Sequence, residues 1–138
     1  MSRRLAWLSC ACVLAFGGTG ASQALADTPL TGDATRGEAI YSRCLACHAL
    51  AYDRTGPRHC GLFGRRAGSV PGFAYSTAMK NSKIIWDEKT LNWFLTSPMT
   101  AIPGTAMGYA GIPDAQERAD LIAYLKKADA GPECASKP

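Results

Sequence analysis

Five adjacent residues carry the most specific chemistry in the sequence: Cys44, Leu45, Ala46, Cys47 and His48. They form the pattern C-x-x-C-H, in which two thiols stand three residues apart and a histidine follows directly. On one turn of helix, each thiol can add to a vinyl group of one haem, and His48 can then bind the iron. The pattern therefore predicts covalent attachment of a c-type haem through Cys44 and Cys47, with His48 as an iron ligand.

Two other uses are known for such a cysteine pair, namely a thioredoxin-like redox pair and half of a zinc site. The sequence disfavours both. A histidine follows the second cysteine at once, no second C-x-x-C is present, and no βαβ pattern surrounds the motif. Haem attachment is the interpretation that uses all three reactive residues.

The second axial position of the iron decides what such a haem does. One protein ligand leaves a face open to dioxygen, carbon monoxide or peroxide, whereas two ligands suit electron transfer. Met107 is the favoured second ligand, because it ends a Pro-Gly-Thr loop that can fold over the opposite haem face. His59, Met79 and Met99 are the competing candidates, and methionine most often only fills a core.

The first and last predicted helices frame the motif. Asp33 can cap a helix whose apolar residues recur at helical spacing as far as Cys44. Gly37 is unfavourable inside that helix, which predicts a close approach of another helix at this point. The last helix is predicted to begin after Asp114 and to end at Gly131.

Two shorter helices and a long loop are predicted between them. One helix begins at Ser76, and the next starts near Asp87 and ends before Pro98. Residues 49–74 follow no period and are punctuated by glycine, proline and arginine, which predicts a loop that packs against the cofactor. The expected fold is all-α, with about four helices wrapped around one covalently bound haem.

The N-terminus has the features of an export signal. Two arginines precede the mostly apolar residues 5–16, which are short for a membrane span, and a small-x-small site follows. The sequence predicts a cleaved signal peptide, residues 1–26, and one domain, residues 27–138. A retained anchor and a twin-arginine signal are the alternatives. Cleavage after export would leave the domain in the periplasm.

The charge balance gives no indication of a nucleic-acid partner. The chain has 15 Lys and Arg residues against 11 Asp and Glu residues, a formal net charge of +4. Two of the arginines belong to the predicted signal peptide. So small an excess does not predict nucleic-acid binding, although local charged patches can steer a protein partner.

The cysteine count predicts a disulfide. Of the six cysteines, Cys10 and Cys12 lie in the predicted signal peptide and two belong to the haem motif, which leaves Cys60 and Cys134. An even pair in an oxidising compartment favours a disulfide, and two separate thiols are the alternative. The Gly-Pro pair before Cys134 turns the chain off the last helix, so that Cys134 can reach back to the loop of Cys60.

Most of residues 33–128 resembles class I cytochrome c, of the bacterial c2-like and mitochondrial type. The motifs that carry the resemblance are Cys44-Leu45-Ala46-Cys47-His48, Thr55-Gly56-Pro57, Gly61-Leu62-Phe63-Gly64-Arg65, Tyr75, Ile84-Ile85-Trp86, Pro103-Gly104-Thr105 with Met107, and Leu121-Ile122-Ala123-Tyr124-Leu125. The resemblance implies a soluble electron carrier, not an enzyme, with one haem c and with His48 and Met107 as axial ligands.

The resemblance also implies roles for residues beyond the ligands. The carbonyl of Pro57 is expected to accept a hydrogen bond from the His48 ring, which orients this ligand. Buried haem propionates need donors. The residues implied to supply them are Arg65, Tyr75 and Trp86, with Thr105 bonding either a propionate or the methionine loop. The expected contact between the terminal helices involves Gly37, Tyr41, Leu121 and Tyr124.

Two departures from the family stand out. His59 replaces a leucine that normally touches the haem, and a histidine is unusual for packing there. Met99, Thr100 and Ala106 stand in the loop where many relatives place docking lysines, so the haem-edge surface is more apolar. The particular partner therefore does not follow from the family.

The expected partners are redox proteins, namely a membrane cytochrome complex, an oxidase or a periplasmic reductase. The chain is expected to be a monomer without stable membrane insertion after signal cleavage. Two alternative functions stay open: a haem peroxidase, and a gas-binding haem domain, each with a weak or displaced sixth ligand.

Overall fold

The structure is a computed structural model that describes residues 30–135, and six helices lie within this range. They are α1 (Ala34–Tyr41), α2 (Thr77–Asn81), α3 (Glu88–Thr96), α4 (Pro98–Ala101), α5 (Ala115–Asp129) and α6 (Pro132–Ala135). Over the same range no strand forms, and the only extended pairing is an isolated antiparallel bridge between Arg66 and Ile85. The predicted all-α fold is confirmed. The predicted signal peptide, residues 1–26, lies outside the described residues.

The four predicted helices are present, and two helices of four residues were not predicted. Proline favours the first turn of a helix, because its ring fixes φ and no helical partner is needed for its nitrogen. Pro98 and Pro132 each begin one of these short helices, α4 and α6. The two prolines therefore start a new turn as well as ending the helix before it. None of the helices in residues 30–135 is both long and apolar enough to cross a membrane.

Side-chain caps fix where the main helices begin. Asp33, Ser76 and Asp114 each accept a hydrogen bond from a backbone N–H of the first turn, as the sequence predicts. Asp87 goes further, because Asp87 and Thr90 form a reciprocal capping box at the start of α3. Each cap satisfies a backbone donor that the helix itself leaves without a partner.

The terminal helices α1 and α5 meet at Gly37. A Cβ at this position would lie 2.7 Å from the Cβ of Tyr124 and would also overlap the carbonyl of Asp120. The predicted close approach at Gly37 is thereby confirmed. Tyr41 packs against Tyr124 with ring centroids 5.1 Å apart, and Leu121 is 1% exposed. Glycine is required because two helical backbones can come this close only where a side chain is absent.

One buried carboxylate, that of Asp120, ties the same helices together. The Asp120 carboxylate accepts from Arg36 Nε at 2.7 Å and from the backbone N–H of Asp33 at 2.7 Å. Asp120 also accepts from the Gln116 amide at 2.8 Å. These bonds, with that of Arg36 foremost, lower the pKa of Asp120 far below its ordinary range. No motif or spacing in the sequence indicates this cluster.

The long loop between α1 and α2 is held by backbone bonds and by the cysteine pair. Gly64 N–H donates to Trp86 at 2.8 Å, and Trp86 N–H donates to Arg65 at 2.9 Å. The Cys60 and Cys134 Cα atoms are 5.2 Å apart, and their sulfurs lie within bonding distance. This separation is typical of a disulfide. The irregular loop thus contacts both the segment before α3 and helix α6.

Candidate functional site

The cysteine motif lies in a tight turn that continues α1. The α-helix ends at Tyr41, and the chain then turns through i→i−3 bonds, with Cys44 N–H donating to Tyr41 and Cys47 N–H donating to Cys44. His48 N–H also donates to Cys44, at 2.8 Å. Both thiols are free. Cys44 is half-buried against the core and Cys47 is exposed. Two thiols and an imidazole thus emerge from one compact turn.

The His48 ring is oriented by backbone groups of the following loop. Its Nδ1 lies 2.7 Å from the carbonyl oxygen of Pro57, and burial lowers the pKa of His48. Since a carbonyl only accepts, Nδ1 carries the proton of the neutral ring and Nε2 keeps its lone pair for a metal. Gly56 packs directly on the ring, because a Cβ there would lie 2.6 Å from each ring nitrogen.

His59 stacks on His48, an arrangement that the sequence analysis did not anticipate. The ring centroids are 4.4 Å apart and the planes differ by 18°. The hydroxyl of Tyr41 lies 3.0 Å from His59 Nδ1. Burial, with smaller contributions from His48 and Arg65, lowers the pKa of His59 to about 3, so the ring is neutral. Two rings stacked face to face cannot bind one iron from opposite sides of a porphyrin.

The three methionines of the described range have different surroundings. Met79 is 9% exposed and belongs to the core, whereas Met99 is 60% exposed. Met107 is half-buried and packs against the core. Its backbone N–H donates to the Thr105 hydroxyl at 3.3 Å, which fixes the end of the Pro-Gly-Thr loop. Among the three, only Met107 combines partial burial with a place in an ordered loop outside the helices.

Arg65 is a partly buried cation whose bonds go to carbonyl groups. Its guanidinium donates to Cys60 at 3.0 Å and to Arg58 at 2.9 Å. Burial lowers the pKa of Arg65, opposed in part by the nearby Tyr75 hydroxyl. Within residues 30–135 no carboxylate is at ion-pair distance from Arg65. A partly buried cation with no carboxylate at ion-pair distance favours the binding of a negatively charged group beside it.

The two aromatic residues of the expected propionate site lie in different packing environments. Trp86 is 7% exposed, with its ring centroid 5.1 Å from that of Phe94 on α3. Tyr75 is half-buried and meets Phe73 edge to face at 4.7 Å. Backbone bonds on both sides of Trp86 join it to the segment that carries Arg65. The loop therefore brings Arg65 into the neighbourhood of both aromatic residues.

The chemistry of these donors fits a covalently attached haem. Two free thiols and a neutral imidazole with an available Nε2 emerge from one turn. Half-buried apolar residues, among them Phe63, Ile84 and Met107, pack on the core. Arg65 offers a partly buried positive charge to an anionic group. The set suits the binding and shielding of an iron porphyrin and offers two axial ligand types.

Comparison with known proteins identifies similar chains. The cytochrome c family model matches residues 34–129. Cytochrome c2 of Blastochloris viridis is 46% identical over 101 residues, which cover 71% of this chain and 80% of that protein. Cytochrome c of Sesamum indicum is 48% identical over 103 residues, covering 72% and 93% respectively. The solved structure of cytochrome cH from Methylobacterium extorquens has a TM-score of 0.68 and 40% identity, and covers 70% of this chain and 99% of that one.

Proposed function

This chain belongs to the cytochrome c family, and from that premise we propose that it is a periplasmic electron carrier with His48 and Met107 as axial ligands. The family binds one covalent c-type haem, and its members carry electrons between redox partners. The finer assignments below rest on this chain's own residues. The single observation that carries them is the turn that presents two free thiols beside an oriented His48.

Cys44 and Cys47 attach the haem. Each thiol adds its sulfur and hydrogen across one vinyl double bond, so that two thioethers form without an oxidant. The i→i−3 turn supports this assignment, because it keeps both sulfurs next to the residue that supplies the imidazole. Extraction of the purified holoprotein with acidified acetone tests it. The haem is expected to stay with the protein, and free haem in the extract would contradict the attachment.

His48 supplies the first axial ligand through Nε2. The Pro57 carbonyl holds the proton on Nδ1 and raises the basicity of the opposite nitrogen. Gly56 keeps the ring against the loop by offering no side chain. The backbone thus fixes both the tautomer and the position of this ligand.

Met107 supplies the second axial ligand. Met79 is buried in the core and Met99 is exposed to solvent. His59 is stacked on the first ligand and bonded to Tyr41, so it cannot approach the iron from the face opposite His48. Thr105 accepts from the Met107 backbone and keeps the methionine loop in place.

Arg65, with Tyr75 and Trp86 nearby, holds the haem propionates. The Arg65 guanidinium is already fixed by two backbone carbonyls and has charge to offer an anion. When bound, the haem supplies an iron that changes between the ferric and ferrous states. The role of the protein is to bind, shield and orient the haem, since electron transfer requires no acid-base pair. Two fixed axial ligands keep the coordination the same in both states.

The ferric absorption spectrum tests the axial assignment. The wild type is expected to be low-spin, to show a methionine-to-iron charge-transfer band at the red end, and to be indifferent to carbon monoxide. Met107→Ala should abolish the band and open the haem to carbon monoxide. Met99→Ala is the matched control, because it removes an exposed methionine from the neighbouring helix α4.

Other outcomes would redirect the assignment. An intact band in Met107→Ala would show that another residue is the ligand. A high-spin wild type that binds carbon monoxide would instead favour a gas-binding domain or, with peroxide turnover, a haem peroxidase.

Residues 1–26 direct the chain to the periplasm in this proposal. Support comes from the two arginines, the short apolar stretch and the small-residue site that precede Asp27. The mature protein is expected to be a monomer that exchanges electrons with a membrane cytochrome complex, an oxidase or a periplasmic reductase. N-terminal sequencing of the protein from a periplasmic fraction tests the export step. A sequence that starts at Asp27 supports cleavage, and one that starts at the initiator region contradicts it.

A further inference from the structure

His59 sits at the junction between the proximal ligand and helix α1. Its backbone N–H donates to the carbonyls of Ala49 and Leu50, at 3.1 and 3.0 Å, so the residue is anchored just after the cysteine turn. Its ring covers a face of His48, with centroids 4.4 Å apart. The next residue, Cys60, is 2% exposed and is paired with Cys134 of α6. The backbone on both sides of the ring is therefore fixed.

The edge of the His59 ring is fixed as well. Tyr41 is 4% exposed, and its hydroxyl lies 3.0 Å from His59 Nδ1. The hydroxyl is protonated, because burial raises the pKa of Tyr41. In the neutral histidine, Nδ1 accepts when the tyrosine O–H donates. A stacked ring that is also bonded at one nitrogen cannot rotate freely about its own side-chain bonds.

The hydrogen bond that His48 Nδ1 donates to the Pro57 carbonyl leaves one motion of His48 weakly restrained. An axial imidazole bound to iron through Nε2 can still turn about the iron–nitrogen bond, since a single hydrogen bond at Nδ1 tolerates a range of ring angles. A second group on the ring face restricts that rotation. His59 is such a group, because its plane is within 18° of that of His48.

We propose that His59 is a positioning residue, which, anchored by Tyr41, fixes the plane of the His48 ring relative to the haem. This inference rests on His48 being the proximal ligand, as proposed above. Groups in contact with a metal ligand set its orientation and tune the metal. The plane of an axial imidazole decides which iron d orbital it overlaps. The spread of the haem-methyl NMR shifts and the g anisotropy of the ferric protein therefore report the ring orientation directly.

The test uses ferric and ferrous holoprotein of four single variants and of the double variant that combines Tyr41→Phe with His59→Phe. Tyr41→Phe removes only the hydroxyl, His59→Phe keeps a stacked ring but removes the acceptor, and His59→Leu removes both. The control is Tyr124→Phe, because Tyr124 packs on Tyr41 at 5.1 Å but has no bond to His59. Haem-methyl shifts, g values and the reduction potential are measured together with the melting temperature.

The expected result is a graded change in the spectroscopic signatures. Tyr41→Phe and His59→Phe should each alter the spread of the haem-methyl shifts in the same direction. Their combination should add little, since both remove the same hydrogen bond. His59→Leu should alter the spread most, and Tyr124→Phe should leave it unchanged.

A lower melting temperature with unchanged methyl shifts, g values and potential in all three site variants would overturn the proposal and leave His59 a packing residue. Changes in the methyl shifts of Tyr124→Phe as large as those of the site variants would overturn the proposal too. A high-spin wild type would instead contradict the ligation by Met107. The methyl shifts would still report His48 in that case, so the two failures are distinguishable.

Discussion

The Nδ1 atom of His48 lies 2.7 Å from the carbonyl oxygen of Pro57, so the ring is oriented by the backbone of a neighbouring loop. A mutation that removes a side chain cannot delete this acceptor. The neighbouring glycine offers a way to displace the ring instead. Gly56 lies directly on it, and nothing but hydrogen fits there.

Gly56→Ala is expected to push the His48 ring away from Pro57. The added Cβ would lie 2.6 Å from Nδ1 and from Nε2, well inside van der Waals contact. Overpacking of this kind costs about 2 kcal/mol. We expect a lower yield of holoprotein, a lower melting temperature and a weaker methionine charge-transfer band. Urea unfolding and the ferric spectrum measure these effects.

Gly72→Ala is the control for the glycine change. Gly72 has a φ of +78°, so alanine there is strained, but a Cβ would meet no atom within 4 Å. The left-handed conformation costs about 1–2 kcal/mol without touching the haem ligands. Stability should fall while the spectrum stays unchanged. If Gly56→Ala behaves in the same way, the clash with His48 has no effect on the ligand.

The sequence predicted where the helices begin because those signals are local, although α1 ends at Tyr41, before the cysteine motif that its periodicity was expected to reach. The caps at Asp33, Ser76 and Asp114 and the break at Pro98 depend on residues a few positions apart, and each is present. The close approach of two helices at Gly37 was predictable for a different reason, since a glycine inside a helical pattern requires a compensating contact. The partner of that contact, Tyr124, came from the family resemblance.

The contacts that the sequence could not predict join distant parts of the chain. The stack of His59 on His48 needs the loop to return over the cysteine turn, and no periodicity encodes such a return. The hydrogen bonds that Arg36 and the backbone N–H of Asp33 donate to Asp120 likewise depend on how α5 crosses α1. Long-range polar pairs have no spacing signature, whereas helix caps do.

Asp120→Asn is expected to destabilise the protein in a pH-dependent way. The bonds from Arg36 hold the pKa of the folded-state carboxyl below its ordinary value of 3.8. A lowered folded-state pKa contributes stability that is fully present above 3.8 and is lost as the pH falls below that value. The difference in the free energy of unfolding between wild type and Asp120→Asn should therefore be largest near neutral pH and should shrink below pH 3.8.

Glu117→Gln is the matched control for the charge. Glu117 on α5 also forms an ion pair with Arg43, which follows α1, and Arg43 Nη1 lies 2.8 Å from Glu117 Oε2. Both side chains are exposed to solvent, 38% for Glu117 and 49% for Arg43. Exposed pairs contribute about 0–1 kcal/mol. Urea unfolding at several pH values should show a small effect for Glu117→Gln. Equal effects of the two variants across the pH range would contradict the role of the buried cluster.

Arg65→Gln is expected to lower the reduction potential of the haem. A buried positive charge near the iron disfavours the ferric state, which carries one more positive charge than the ferrous state. Neutral glutamine removes this effect and leaves the propionates without their cation. Arg66→Gln removes the same charge one residue away, but the Arg66 side chain is exposed and donates to the Lys80 carbonyl. Solvent and salt screen such a charge.

Redox titration of both arginine variants measures the difference. The shift for Arg65→Gln should be several times that for Arg66→Gln, and it should depend less on ionic strength. Equal shifts would mean that Arg65 acts only through net charge. A rise in potential for Arg65→Gln would contradict its placement beside the haem.

The proximity of Cys60 and Cys134 predicts a disulfide that joins the loop between α1 and α2 to α6. The two residues are 74 positions apart, and both are buried. Closing a loop of this length is worth roughly 4 kcal/mol in the chain-entropy model, and measured values are often smaller. Cys60→Ser and Cys134→Ser should each lower the melting temperature by a similar amount. The double variant should add little more, because one bond is lost in each case.

Intact mass after alkylation of the unreduced, denatured holoprotein decides whether the bond exists. No added label is expected before reduction and two labels after it, whereas two labels before reduction would show separate thiols.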